Sequence, residues 1–410
     1  MHSGYGDATS DTATIKSLAT LNDPQHKNFD PTVFVSWDTS RLTAFGMFNR
    51  WLLQPYIRHA RKIVRVETDI VMLTHLILYF TTSVPSAALL YHHFTYSHAI
   101  VHWLMQSYYV GTYTLMMHQH IHAGGILSRR FWWIDAIFPY ITDPLMGHTW
   151  NSYYYHHVKH HHVEGNGPND LSSTLRYQRD SVFDFLCYYG RFLFLVWLDL
   201  PLYFIRKGKR GMATRAVCWE IADYMFIYLL YKLVDARATV FVFVLPLMLL
   251  RAGLMVGNWG QHALVDEIDP NSDFRSSITL IDVAVSHRSQ TYVTSLADLG
   301  ICMLQSNRFC YNDGYHTSHH LNPRRHWRDH PMAFISQKER YINENALVFR
   351  NIDYLMMTVK LLQKDYMYLA KSLVPIGNQI GMSMEQKAAM LRTKTRRFTE
   401  EDIQKHFCKR

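Results

Sequence analysis

Cysteine is scarce here, and its spacing excludes the structures that cysteine builds. The 410-residue chain has five, at 187, 218, 302, 310 and 408, with no C-x-x-C pair and no tight framework. A disulfide scaffold and a thiolate-rich metal site are not expected; reduced thiols in a cytosol-facing protein are. Residues 1–30 lack the apolar run of a signal peptide, so a cleavable leader is not expected. The last four residues, Phe407 to Arg410, do not fit a prenylation motif. There is no internal repeat and no low-complexity tract. Acidic charge is in deficit: 42 Lys and Arg face 33 Asp and Glu, a net +9. The cations flank apolar runs, which favours an anionic membrane face over nucleic acid as the partner.

What the chain does have is apolar sequence in blocks. Its mean hydropathy of −0.13 looks globular, but that average mixes long apolar runs with polar stretches. Aromatics reach 14%, with 26 Tyr and 10 Trp, as expected where side chains meet a lipid–water boundary. Spanning about 30 Å of hydrocarbon takes about 20 residues. Four segments are long enough: 70–91, 99–117, 216–234 and 239–257. Short gaps make them two helical hairpins. Arg58, Arg61, Lys62 and Arg65 precede the first, and Arg129, Arg130, Arg206, Lys207, Lys209, Arg210 and Arg215 lie between the two. The positive-inside rule then places both termini and the middle loop in the cytosol. A fifth apolar run, 182–205, is read as lying on the membrane surface or partly buried, because Arg191 and Asp199 make a span costly. The Trp-rich stretch 131–150 reads the same way. The expected fold is all-α and integral to the membrane: four transmembrane helices in two hairpins with a cytosolic helical metal-binding cap. A polar N-terminal region, 1–66, precedes the membrane domain at 67–335. A soluble tail, 336–410, follows, with an amphipathic helix at 353–373.

Histidine is abundant, 25 in all, and much of it is grouped. His118-Gln-His-Ile-His122 is H-x-x-x-H, while His157-Val-Lys-His160-His161 and His316-Thr-Ser-His319-His320 are both H-x-x-H-H. On a helix, residues three and four apart share a face, so each group aims two or three imidazoles at one point. Neutral imidazole ligates zinc, iron, copper and nickel. The second span ends at Met117, just before His118. The fourth ends near Gly257, just before Asn258-Trp-Gly-Gln-His262, which adds an imidazole and an amide suited to hold a metal-bound water. His118, His122, His157, His160, His161, His262, His316, His319 and His320 are more than one metal takes and suit two. Structural zinc would favour Cys; an all-nitrogen pair with open positions suits redox iron and dioxygen. At the mouth of an apolar bundle the expected substrate is an apolar chain rising from the bilayer. Activating its C–H bonds needs metal and oxygen, not acid–base groups.

The three boxes, their order and the two-hairpin layout resemble the integral-membrane fatty acid desaturase and hydroxylase family over about residues 67–335. The resemblance implies a non-haem centre of two Fe ions that reduces O₂ and removes hydrogens from a lipid acyl chain. It implies iron ligation by His118 and His122, by His157, His160 and His161, and by His316, His319 and His320. Asn258 and His262 match an N-x-x-x-H known in the acyl-CoA desaturase branch. Box one departs from that branch: three residues separate its histidines where four are usual, which counts against acyl-CoA as the carrier. No His-Pro-Gly-Gly haem motif occurs, so electrons are expected from a separate donor such as cytochrome b5 or ferredoxin with its reductase. The expected function is a membrane desaturase, in the endoplasmic reticulum if the source is eukaryotic. Hydroxylase, epoxidase or acetylenase chemistry at the same site is the alternative, and a His-rich metal transporter is a different class.

Other residues compete for these roles. His98-Ala-Ile-Val-His102 repeats the H-x-x-x-H spacing at the far end of the second span, about 30 Å from His118; interfacial anchoring is expected there. His326 and His330, among Arg324, Arg325 and Arg328, are expected on a solvated or phosphate-facing surface. In box two His156 can replace His157, whereas α-helical winding turns His162 about 100° from His161. Glu220 and Arg251 lie at similar depth in the third and fourth spans. A buried ion pair is expected there, with contact to a polar substrate group as the functional alternative. Glu164, Asn166 and Asp170 are candidates to orient ligand imidazoles.

Overall fold

The structure, a computed structural model, describes residues 8–34, 37–38, 47, 49–281 and 310–407; Cys302 and Cys408 fall outside these. The principal elements are α1 (Ala8–Asn22), the hairpin β1–β2 (Thr32–Phe34 and Trp37–Asp38), α2 (Ile70–His92), α3 (Tyr96–Ala123) and α4 (Trp132–Leu145). Next come α5 (Val182–Arg206), α6 (Arg210–Leu233), α7 (Ala236–His262) and β3 (Ile278–Ile281). The chain continues through α8 (His316–Leu321), β4 (Leu347–Arg350), α9 (Tyr354–Leu362) and α10 (Met384–Thr393). The class is all-α, as expected. Among the described residues strands add two short ladders, β1 with β2 antiparallel and β3 with β4 parallel.

The membrane layout departs from expectation. Among the described residues three helices, α2, α5 and α7, are long and apolar enough to cross a membrane, not four in two hairpins. Helix α3 drops out because Gln106, Ser107, Thr112, Thr114 and its histidines break up the apolar run. Helix α6 drops out on Arg215, Glu220, Asp223 and Lys232. Helix α5, expected on the surface, joins the set: Arg191 and Asp199 pair with each other, Nε to Oδ2 at 3.0 Å, which lowers the cost that argued against a span. The chain is a multi-pass membrane protein with these three candidate spans.

Gln106, Thr112 and Tyr113 of α3 are paired inside the bundle, as burial requires. Gln106 accepts from the Ser83 hydroxyl at 2.9 Å and donates to Leu145 O at 2.8 Å. Thr112 meets Tyr79 at 2.9 Å, and Tyr113 donates to Asp143 at 2.6 Å. An apolar core of Val71, Tyr79, Tyr113, Met116, Phe138 and Trp327 packs around this ladder. A second core joins α5 and α7 to the C-terminal region through Tyr188, Trp259, Ile278, Phe349, Met357 and Leu369. Helix α9 lies hard against α7: a Cβ on Gly260 would sit 2.6 Å from Tyr354 O. The tail is thus built into the fold. The expected single helix at 353–373 is two, broken where Lys364 takes a positive φ of 57°. Arg179 is fully buried and donates to the carbonyls of Ala263, Lys394 and Arg396, which ties the chain after α10 to the end of α7. Arg328 does the same for the N-terminal region, donating to Asn22 Oδ1, Thr32 Oγ1 and Asp30 O at 2.7 to 2.8 Å.

Candidate metal centre

Four local structures bring the histidines together. The last turn of α3 presents His118 and His122. It stops at Gly124, whose φ of 68° suits glycine. The next turn wraps Asp135, which accepts from the N–H groups of Ile126 and Leu127. A Cβ on Gly125 would lie 2.7 Å from that carboxylate. The last turn of α7 presents Asn258 and His262. Helix α8 carries His316, His319 and His320. Box two, Tyr154–His161, is wound as a π-helix, not an α-helix. In that winding residues five apart come into register. His157 and His162 therefore turn to one side, and their Nε2 atoms lie 3.0 Å apart.

The imidazoles form two groups. His118, His122, His157, His162 and His319 each offer a nitrogen within 4.8 Å of every other, and His161, His262 and His320 do the same. His316 joins the second group, with its Nε2 2.9 Å from His262 Nε2. Within the first group four Nε2 atoms close a ring: His118 to His157 at 2.8 Å, His157 to His162 at 3.0 Å, His162 to His319 at 2.9 Å and His319 to His118 at 3.1 Å. One proton on a nitrogen serves one edge, and each edge needs a donor and an acceptor. At most half of the ring's edges can then be hydrogen bonds; the rest are close nitrogen–nitrogen contacts with no proton between them. A cation inside the ring removes that conflict. His122 Nε2 and His320 Nε2 are also buried and, among the described residues, have no hydrogen-bond partner. Burial first, and neighbouring imidazoles second, hold His122, His157, His162, His316 and His319 far below the ordinary histidine range. They are neutral, with lone pairs available to a metal. The donor set fits a binuclear site.

Carboxylates back the ligand side. His161 Nδ1 donates to Asp170 Oδ2 at 2.7 Å. His118 Nδ1 lies 3.3 Å from Asp313 and His320 Nδ1 3.4 Å from Asp273. Such contacts fix the tautomer and leave Nε2 as the basic atom. Burial would raise the Asp170 carboxyl, but His161, His160 and His156 outweigh it and hold it well below the carboxylate range. Asn258 Nδ2 donates to Ser172 O and to Tyr188 Oη at 2.9 and 2.7 Å.

Eight of the nine expected histidines fall in or against the two groups. His160 lies outside both: its Nε2 accepts the Leu171 N–H at 3.1 Å, and its ring packs on Tyr203. His162 takes a place that α-helical geometry denied it. The signal was the alternative spacing H-x-x-x-H-H at 157, 161 and 162, readable once π-winding is allowed. His330 is buried rather than solvated, with its Nδ1 3.0 Å from the Ser318 hydroxyl, while His326 stays partly exposed and its Nε2 lies 2.7 Å from Asp69. Glu220 and Arg251 form the expected ion pair at 2.5 Å. Of the other carboxylates near box two, Glu164 pairs with Lys207 and Tyr203. A cavity of about 50 Å³ opens between box two and α5, α6 and α7. Tyr153 lines it, and its ring lies 5.2 Å from that of His157.

Apolar helices, a buried all-imidazole binuclear site and carboxylates behind it define a membrane-embedded oxidoreductase of the di-iron type that acts on lipid. A family model described as fatty acid desaturase matches residues 97–345, more than half of the chain, and the protein belongs to the fatty acid desaturase family. No curated protein and no solved structure matches the chain.

Proposed function

We propose that each group holds one iron: His118, His122, His157, His162 and His319 around the first, and His161, His262, His316 and His320 around the second. His160 buttresses box two, and Asn258, one turn before His262, holds a metal-bound water. When bound, iron supplies the dioxygen and one-electron chemistry that imidazoles and carboxylates lack. The chain's own residues do the rest. Asp170, Asp313 and Asp273 orient His161, His118 and His320. The cavity beside Tyr153 holds an acyl chain against the first group and keeps water from it. The reaction proposed is desaturation of that chain with O₂ as oxidant. Electrons arrive from an external donor such as cytochrome b5 or ferredoxin with its reductase. The cap and both chain ends share one face, which the packing of both ends on the cap through Arg328 and Arg179 supports; sharing a face takes an even number of crossings, so one of the three candidate spans does not pass through. That face is the cytosolic one, at the endoplasmic reticulum in a eukaryote.

The closed ring of four Nε2 atoms carries the proposal, because it asks for a resident cation. Metal analysis of the purified full-length protein is expected to find about two irons per chain. A host expressing it should gain an unsaturated lipid, and His157→Ala should lose both. Exchangeable zinc with metal flux sinks the proposal, and hydroxylated product in place of the double bond reassigns the final step.

A further inference from the structure

The cavity between box two and α5, α6 and α7 has a mixed lining. Phe192, Val196, Leu200, Leu250 and Leu254 are its apolar part, while His148, Thr149, Ser152, His156, Glu220 and Arg251 bring polar groups to the wall. Most of these are paired. Glu220 accepts from the hydroxyls of Thr149 and Ser152 and from the Arg251 guanidinium, each at 2.5 Å, and from Tyr224. Arg251 also donates to Leu193 O at 3.0 Å. His148 Nε2 pairs with Thr114 Oγ1 at 3.0 Å. The two charges cancel each other, so nothing in this wall calls for a carboxylate or phosphate. His156 is the exception. Its Nε2 is buried and, among the described residues, has no hydrogen-bond partner. Its ring is wedged between Phe192, centroids 5.2 Å apart, and His160, 5.3 Å apart. A buried nitrogen left bare is unfavourable, and plain hydrocarbon in the cavity offers it nothing. Nε2 is closed off as the ring stands, so a partner meets it when the ring turns toward the cavity that His156 lines.

We propose that the cavity takes a lipid chain bearing a neutral oxygen function, a hydroxyl above all, and that His156 Nε2 selects it. A hydroxyl both donates and accepts, so it pairs with either tautomer. Tyr153 lines the same cavity, with its ring 5.2 Å from His157 and 6.4 Å from His118. His156 and the five-histidine group therefore flank one stretch of chain, and the oxygen sits within a few carbons of the reacting C–H bonds. The inference rests on reading this cavity as the place where the oxidised chain binds.

The test uses iron-loaded full-length protein in detergent. A plain saturated acyl chain is compared with a positional series of the same chain carrying one mid-chain hydroxyl. Binding is read by displacement of a fluorescent acyl probe and turnover by product analysis. Wild type is expected to prefer one hydroxylated member by about tenfold or more. His156→Leu should lose that preference while still binding the plain chain, and His156→Gln should keep part of it. Equal binding of every member by wild type, or a preference that His156→Leu leaves intact, overturns the inference. Should the leucine variant not fold, as its Tm reports, the wild-type series alone decides. A binding preference without turnover of any member supports the role of His156 and sinks the oxidation reading instead.

Discussion

Helix α3 carries one motif twice. His98 and His102 stand near its start and His118 and His122 at its end, each pair one turn apart, the pairs about 30 Å from each other. The first pair shares a hydroxyl: Ser86 Oγ lies 2.9 Å from His98 Nε2 and 2.9 Å from His102 Nδ1. One hydroxyl can give a proton to one imidazole and take one from the other, so that clasp closes without a cation. At the other end His118 Nε2 meets the nitrogens of His157 and His319, and His122 Nε2 has no hydrogen-bond partner among the described residues. The spacing sets which face the imidazoles share. What stands opposite decides whether they become a clasp or a metal cup.

The largest effect should come from the two ends of α3 changed in the same way. His122→Ala is expected to lose iron from the five-histidine group and product formation with it. His102→Ala should keep its metal and its turnover while losing on the order of 1–2 kcal/mol of stability. Metal content by elemental analysis and Tm read the two separately; equal metal loss in both would erase the contrast. Box two supplies the next comparison. His162→Ala should lose metal nearly as fully as His122→Ala, and His160→Ala should retain it. The reverse outcome restores the α-helical register.

Acid should then separate a metal cup from a clasp. Burial and neighbouring imidazoles hold His157, His316 and His319 well below 6.5. The unfolded chain takes up protons near 6.5 that the native cap refuses, so the metal-free cap loses stability as pH falls below about 6.5. Bound metal raises stability through the same neutral imidazoles, but the unfolded chain still takes up its protons and protons compete for the ligands, so the iron-loaded curve should lie above the metal-free one and fall at least as steeply. Tm of metal-free and iron-loaded protein across this range is the measurement. Coincident curves would mean that the histidines do not share a metal. A smaller effect is expected from Asp170→Asn, which keeps the shape and weakens the grip on His161 Nδ1. Metal affinity should fall about 10–100-fold.

The chemistry of the centre was readable before its geometry. At α3, α7 and α8 the helical three-and-four spacing holds, and the histidines chosen by that rule converge. It misses only where the backbone is not α-helical: box two is π-wound, so His162 enters and His160 leaves. The all-α class follows from the length of the apolar runs, but the number of spans does not. Gln106 and Thr112 make α3 too polar by composition, yet their partners on α2 and at Leu145 cover them. Arg191 and Asp199 seemed to forbid α5, and pairing them lowers that cost. Ion pairs and buried hydrogen bonds are made by tertiary contact, which one-dimensional hydropathy cannot register. The same blindness hid the role of the tail. Arg179 reads as a surface cation until the carbonyls of Ala263, Lys394 and Arg396 enclose it.

The smallest expected effect tests the clasp directly. Ser86→Ala removes the hydroxyl that His98 and His102 share. His102 is fully buried and its Nε2 already lacks a partner among the described residues, so the change strips its other nitrogen too. Stability should fall by on the order of 0.5–1.5 kcal/mol, read as a lower Tm, with metal content and turnover unchanged. The freed pair would still have its H-x-x-x-H spacing and its burial, and would still lack imidazoles opposite. If Ser86→Ala took up an extra metal at His98 and His102, spacing alone would suffice, and the facing wall would no longer explain why one end of α3 is a clasp and the other a cup.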